Sequence, residues 1–509
     1  MANFIGGTFI NPASIRMLAE RIADEIESNS RDQHDAGSIT PPTRATSHPA
    51  RHHDTCANPD RVTSNGVGNQ GVFDSVNDAV VAARKAFEAL DAMGLARRKT
   101  IIEKIREVSL AQAEVLARSA REETKLGRFE DKTNKNLLVA RKTPGPEELL
   151  PFAQSGDHGL VLIEPAPFGV IGSITPVTNP TSTIINNTIA MVSAGNTVVF
   201  NTHPSAKAVS ATTVRLLHNA IVQAGGPPDV VVCVKTPTIE SAGELMHHPT
   251  VRLLVVTGGP HVVKAAMNSG KRAICAGPGN PPVVVDPTAD IERAAKDIIF
   301  GHSFDNNVIC VDEKECIVVE SVAEALKASM KRNGAVEVPA TDLPRLENVI
   351  FEKNAGPRGH AVVNKNMVGK SAHVILKELG IDASPDVRAV LVEVPNDHPL
   401  VWTEQMMPVL PFTRVRNVDE AIELAVNCEG GNFHTACMHS HDLAALSKMA
   451  RRCNCSVFVK NGCGVDGLGF RGEGPTSFTI ASPTGEGITT PRSFSRIRRC
   501  TLRDHFRVV

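Results

Sequence analysis

The chain has 509 residues, 42% of them hydrophobic and 21% charged, as expected for globular material of roughly three domain-sized units. A net charge of −1 provides no global basic field for nucleic acid, and no apolar run reaches the roughly 18 residues of a membrane span. With 18 Phe, one Trp and no Tyr, aliphatic residues must fill the core, and tyrosine is excluded as a general acid.

Along the chain, residues 14–27 read SIRMLAERIADEIE, with Ile15, Leu18, Ile22 and Ile26 on one face and charged residues on the other. This spacing predicts an amphipathic helix with Ser14 as its N-cap. From Ser28 to about Gly71 the sequence is rich in Ser, Asn, Asp, His, Pro and Gly. Such a stretch buries too little apolar surface to offset its ordering entropy, and it reads as a disordered linker over 28–70. The helix is thus either docked on the main body or a tethered recognition element for a partner's groove. Its polar face is mixed in charge, which argues against a membrane surface.

From Val72 onward the pattern is α/β. Asp74–Leu90 and Ala96–Glu123 read as long helices, and Leu160–Ile163 and Gly169–Ile174 as strands. Then come a helix over Ile184–Ala194, a buried strand over Thr197–Phe200 and a helix over Ala206–Ala224 that stops at Gly225-Gly226-Pro227. Val230–Val234, Leu253–Val256 and Val283–Val285 are β-branched runs suited to parallel strands. A second alternating series runs from Asp290 to Phe458, and Ser493–Val509 is strand-like and basic. Alternation of this kind predicts doubly wound sheets with right-handed crossovers.

The chemistry centres on Cys310, at the end of Ser303-Phe304-Asp305-Asn306-Asn307-Val308-Ile309-Cys310. A polar, amide-rich turn is the setting for a partly exposed nucleophilic sulfur. Cys316, in an apolar strand six residues on, reads as core. Upstream, Ile174-Thr175-Pro176-Val177-Thr178-Asn179-Pro180 places the Asn179 amide in a Pro-bounded loop. A sulfur nucleophile and an amide donor are the minimum for attacking a carbonyl and holding the oxyanion. Thr257-Gly258-Gly259 closes an apolar strand and opens a helix, as a phosphate-binding turn does, although the G-x-G-x-x-G fingerprint is absent. Eleven cysteines, an odd number scattered from Cys56 to Cys500, suit a reducing, cytoplasmic setting rather than a disulfide framework. No metal site is expected, because Cys453, Cys455 and Cys463 lack a fourth ligand at suitable spacing.

These elements, in this order, resemble the aldehyde dehydrogenase superfamily, and within it the CoA-acylating propionaldehyde and acetaldehyde dehydrogenases of bacterial microcompartments. The resemblance runs from about residue 70 to Val509. It is carried by Thr143-Pro144-Gly145 with Glu147, Thr178-Asn179-Pro180, Gly277-Pro278-Gly279-Asn280-Pro281-Pro282, Phe304-Asp305-Asn306-Asn307, Met407-Pro408-Val409-Leu410-Pro411, Pro483-Thr484-Gly485-Glu486-Gly487 and Arg498-Arg499-Cys500. It implies an aldehyde dehydrogenase-like fold: two doubly wound α/β domains, an NAD-binding one over 71–284 and a catalytic one over 285–487. A bridging hairpin near 145–164 and the segment 488–509 would form a small β oligomerisation arm, giving a homo-oligomer, a dimer or tetramer.

It further implies CoA-dependent oxidation of a short-chain aldehyde (acetaldehyde, propionaldehyde or lactaldehyde) to acyl-CoA, with NAD as cofactor and CoA as co-substrate. Cys310 and Asn179 would be catalytic. Thr257, Gly258, Gly259, Thr175, Pro176, His203, Pro204 and Glu404 would bind the cofactor, Glu404 at the nicotinamide ribose. Hydrolysing relatives carry a general-base Glu where this chain has Ala276, in Ala276-Gly277-Pro278-Gly279-Asn280. Without a positioned base, water is a poor deacylating nucleophile, whereas a thiol is partly ionised near neutrality. The alternatives are a hydrolysing aldehyde dehydrogenase, a plain acyltransferase and a silent scaffold partner. His434 and His439 match histidines of acylating relatives and are either structural or groups that orient CoA or accept its thiol proton. Because related microcompartment enzymes carry N-terminal encapsulation helices, the resemblance also implies a shell-protein partner for residues 14–27 and a place inside a microcompartment.

Overall fold

The computed structural model describes residues 69–507, together with two short strands, Phe4–Ile5 and Thr8–Phe9, which pair antiparallel. The expected helix over 14–27 and nearly all of the 28–70 linker lie outside the described residues. Residues 67–509 form one unit, built on two parallel sheets and a three-stranded arm.

The β-branched runs form the first sheet, in the order Ala273–Ala276, Val251–Thr257, Val170–Ile174, Thr197–Asn201, Val231–Val234, Val72–Phe73. Every pairing is parallel. The chain leaves Val170–Ile174 in one direction through Thr197–Asn201 and Val231–Val234, then returns to its other side with Val251–Thr257. This reversal creates a switch point, where helices leave on opposite faces and open a crevice at the carboxyl ends of the strands.

The second sheet runs Ala335–Val338, Ala389–Glu393, Val409–Val415, Glu315–Val319, Pro282–Val285, Thr435–His439, Val457–Lys460, again all parallel. The strand Pro282–Val285 pairs wholly within it. The two sheets therefore divide between Ala276 and Pro282, slightly before residue 284. Both sheets match the doubly wound α/β architecture expected from the sequence.

Two features differ from the sequence reading. The predicted helix over Ala96–Glu123 is two helices, Leu95–Ala111 and Ala113–Thr124, hinged at Gln112 (φ −106°, ψ 7°). The apolar period continues across the hinge, so the pattern alone does not reveal it. Tertiary contact does: the Ala113 carbonyl accepts from Asn136 Nδ2 at 3.0 Å. Asn136 lies on a helix over Phe129–Lys142 that sequence periodicity did not disclose, because its buried face carries Asp131, Lys132 and Lys135.

The arm consists of Phe152–Gly156, Gly159–Pro167 and Ser495–Arg503, antiparallel, with register from Ser495 opposite Pro167 to Arg503 opposite Gly159. Phe152, Ile497 and Leu502 are exposed. Gly159 has φ +112°, and a Cβ there would lie 2.0 Å from the Leu502 carbonyl oxygen. Gly159→Ala is accordingly expected to speed amide hydrogen exchange across 152–156 and 495–503 while leaving the strands of both parallel sheets protected; unchanged exchange in the arm would contradict this.

Candidate active site

A cavity of about 610 Å³ opens at the switch point of the first sheet. Four neighbouring strands deliver their carboxyl ends to it: Ile174 and Thr175, Asn201 and Thr202, Thr257, and Ala276. His203 and Pro204 follow one of these ends, and Gly258 and Gly259 follow another. Asn179, Cys310 and Glu404 complete the wall. All ten residues singled out from the sequence thus face one space, and Glu404 is the only carboxylate among the lining residues.

The Cys310 turn has an unusual backbone. Asp305, Asn306 and Asn307 have φ of 46°, 56° and 65°, three successive left-handed residues. Asn and Asp tolerate this region better than other non-glycine residues, but each still carries about 1–3 kcal/mol of strain that its surroundings must hold. Asp305 accepts from the Arg128 backbone N–H at 2.7 Å and Lys132 Nζ at 3.0 Å, and is paired with Lys135. Asn306 Nδ2 donates to the Gly369 carbonyl at 2.9 Å. Asn307 Nδ2 donates to the His302 and Glu313 carbonyls at 2.8 and 3.0 Å. Fully buried Lys314 donates to Asn307 Oδ1 at 2.6 Å and to the Ile309 carbonyl at 3.2 Å. Each residue of the turn is therefore pinned through its own side chain.

Asn179 is not in a free loop but at the N-cap of the helix Pro180–Ser193, and its side chain does not cap it. Its Oδ1 instead accepts from Lys135 Nζ at 2.6 Å, and its Nδ2 donates to Thr178 Oγ1 at 3.1 Å. Because an ammonium can only donate, the Lys135 contact settles which way the amide faces. One amide N–H is left for the cavity.

The Cys310 side chain is partly exposed at the cavity wall. Burial, reinforced by the Glu404 carboxylate and only partly opposed by Lys314, pushes the Cys310 thiol up to about 12. Burial likewise raises the Glu404 carboxyl, against Lys314 and a hydrogen bond from the Gly279 N–H. A Cβ at Gly279 would lie 2.9 Å from the Cys310 carbonyl oxygen and 3.0 Å from His434 Cγ, so the chain beside the nucleophile requires glycine there. His434 and His439 are buried, do not line the cavity, and are both pushed down to about 4 by burial. The Nε2 of each is buried without a hydrogen-bond partner. Cys316 is fully buried in the strand Glu315–Val319, as its apolar flanks imply.

The cavity's polar features suit a dinucleotide. Gly259 caps the helix Pro260–Met267, whose first amides can face a phosphate; the Gly258 N–H is already engaged by the Ala276 carbonyl at 3.1 Å. Thr175 Oγ1 is buried without a partner, a vacancy for a ligand hydroxyl or amide. His203 is held neutral by burial, and its Nδ1 accepts from the Ser205 N–H at 3.1 Å. That leaves its Nε2 as a donor.

The sequence reading missed Lys132, Lys135 and Lys314, and also Leu468, Ser477, Phe478 and Ile480, which close the cavity from the C-terminal side. Lys132, Lys135 and Val139 share one helix face, and the two charges interrupt the apolar stripe by which the sequence would have shown it. The closing loop is held by Asn186 Oδ1, which accepts from the Phe478 N–H at 3.0 Å, and by Asn187 Oδ1, which accepts from Thr479 Oγ1 at 3.0 Å. No spacing in the sequence announces those contacts.

The sequence profile of the aldehyde dehydrogenase family matches residues 54–470. Acetaldehyde dehydrogenase (acetylating) EutE of Salmonella typhimurium is 50% identical over 444 residues, 87% of this chain and 94% of the relative. The crystal structure of Rhodopseudomonas palustris propionaldehyde dehydrogenase, with bound CoA and an acylated cysteine, superposes with a TM-score of 0.83 at 47% identity, covering 86% of this chain and 98% of that one. A propionaldehyde dehydrogenase from the Clostridium phytofermentans fucose utilisation bacterial microcompartment matches with a TM-score of 0.83 at 44% identity, over 86% and 100% of the two chains.

A thiol raised to about 12 is neutral below that pH and gains thiolate only as pH approaches it. In the free protein, iodoacetamide labelling of Cys310, followed by mass spectrometry, is expected to be slower than that of exposed Cys500 and to climb from pH 7 to 10 without levelling. A plateau near neutrality would place the thiolate in the resting site and overturn this expectation.

Proposed function

We propose that this chain, which belongs to the aldehyde dehydrogenase family, oxidises a short-chain aldehyde (acetaldehyde, propionaldehyde or lactaldehyde) to its acyl-CoA, with NAD and CoA. The observation that carries the reading is the cavity's wall. It joins a cysteine to an amide donor, and Ala276 stands where a hydrolytic base would.

Cys310 attacks the aldehyde carbon, giving a thiohemiacetal whose oxygen is held by Asn179 Nδ2 and the Cys310 backbone N–H. The thiol proton passes to the carbonyl oxygen as the C–S bond forms and is released to solvent when the hydride departs. Bound NAD supplies the hydride acceptor. Thr175, Pro176, His203, Pro204 and the Thr257-Gly258-Gly259 turn would hold it, with Glu404 toward the nicotinamide ribose. Loss of hydride from the thiohemiacetal leaves a thioester on Cys310. The apolar wall around Ala276 provides no group to activate water, so the thioester waits for the CoA thiol, which exchanges with Cys310 and departs as acyl-CoA.

The arm supports assembly of a homo-oligomer, a dimer or tetramer: among the described residues its outer strands have free edges, and Phe152, Ile497 and Leu502 are exposed. The sequence of residues 14–27 supports docking in the groove of a microcompartment shell protein, and so placement in the cytoplasm inside such a compartment. No helix among the described residues is long and apolar enough to cross a membrane.

With CoA omitted, one burst of NADH per active site followed by near-arrest is expected; sustained carboxylate formation at a comparable rate would instead make the enzyme a hydrolytic one. Cys310→Ala should abolish NADH formation and Cys316→Ala retain it, and the reverse pattern would remove Cys310 from its role. Replacing Leu18 and Ile22 with Glu should leave solution kinetics unchanged and end co-purification with shell proteins, whereas loss of activity or of soluble expression would assign the helix to the catalytic fold.

A further inference from the structure

We propose that Lys135 is a positioning residue for catalysis: its ammonium, bridging Asp305 and Asn179, sets the oxyanion donor against the Cys310 turn. The proposal rests on the reading of Asn179 as that donor.

Lys135 Nζ donates to Asn179 Oδ1 at 2.6 Å and is paired with Asp305 Oδ2. Asp305 opens the left-handed turn that leads to Cys310, and Asn179 stands at the N-terminus of the helix Pro180–Ser193. One buried cation thus ties the nucleophile's segment to the donor's segment. Lys135 also polarises the amide: an ammonium on Oδ1 draws electron density from the amide nitrogen and makes its remaining N–H a better donor to a developing oxyanion.

Lys132, one helical turn earlier, provides the control. It is equally buried, bonds the same Asp305 oxygen at 3.0 Å and the Thr178 carbonyl at 3.2 Å, and does not bond Asn179. The two lysines share the structural task of neutralising Asp305, but only Lys135 reaches the amide. Their other charged neighbours are Asp131, which accepts from the Asp305 N–H at 3.0 Å, and Arg128 and Arg388, which lie 3.7 and 3.9 Å from Asp131.

The test is a double-mutant cycle on the full chain with propionaldehyde, NAD and CoA, reading kcat, KM and thermal unfolding. Asn179→Ala is expected to lower kcat by on the order of 10²–10³. Lys135→Met should lower it by about 10², the scale of a 1 Å misplacement, with KM for aldehyde little changed. In the Asn179→Ala background Lys135→Met should lose the part of its effect that runs through the amide, and its cost in kcat should fall to that of Lys132→Met. Lys132→Met should cost similar thermal stability, yet its effect on kcat should persist in full in the Asn179→Ala background. Lys135→Gln, which keeps an N–H donor and is milder toward folding, should recover much of the rate. The proposal is overturned by equal kcat losses from Lys135→Met in both backgrounds, by a loss confined to KM, or by Gln and Met variants that behave alike. An Asn179→Ala enzyme with unchanged kcat would instead bring down the oxyanion reading itself, and the proposal with it.

Discussion

The active centre depends on the stretch Asp305-Asn306-Asn307, three residues held in left-handed backbone. No local preference keeps three such residues in a row, so the conformation survives only because each side chain is fixed from outside. Asp305 is fixed by cations of the helix Phe129–Lys142, Asn306 by the Gly369 carbonyl, and Asn307 by Lys314 and two carbonyls. The turn that aims Cys310 is thus assembled from segments more than 170 residues away in sequence as well as from its neighbours. Strain at the nucleophile is balanced by contacts made only when the whole unit is folded.

Those contacts are largely ionic, and they are buried. Removing charge from water is costly unless partners and hydrogen bonds replace the solvent. Lys132 shows the tension: desolvation drags its ammonium down to about 8 even though Asp305 opposes the shift. A hydrophobic replacement of the cluster would hold the helices together as well or better. It would not fix an amide's orientation or a turn's dihedral angles. The cluster's arrangement fits a role in geometry more than one in bulk stability.

The two sheets divide the work. The first presents the carboxyl ends of its strands, where a reversal of winding opens a crevice. The second contributes the turn before its strand Glu315–Val319, so that Cys310 meets the crevice from across it. Burial of that meeting point has a chemical consequence. It pushes the Cys310 thiol up, with the Glu404 carboxylate reinforcing the shift, while Ala276 brings no carboxylate to the wall.

The sequence by itself determined the α/β class and four of the six strands of the first sheet, because these are continuous β-branched runs; of the seven strands of the second sheet it named only Val283–Val285 and the one that holds Cys316. Asn179, Cys310 and Ala276, singled out in the polar strings between strands, line one cavity. The hinge at Gln112, the helix Phe129–Lys142, and the roles of Lys132, Lys135 and Lys314 were decided by tertiary structure alone. A lysine on a helix reads as solvated in a linear pattern; only when Asp305 arrives from elsewhere in the chain does burying it become affordable. Pattern records which residues want to leave water, whereas the partner that lets a charged residue leave water is a property of three-dimensional contact.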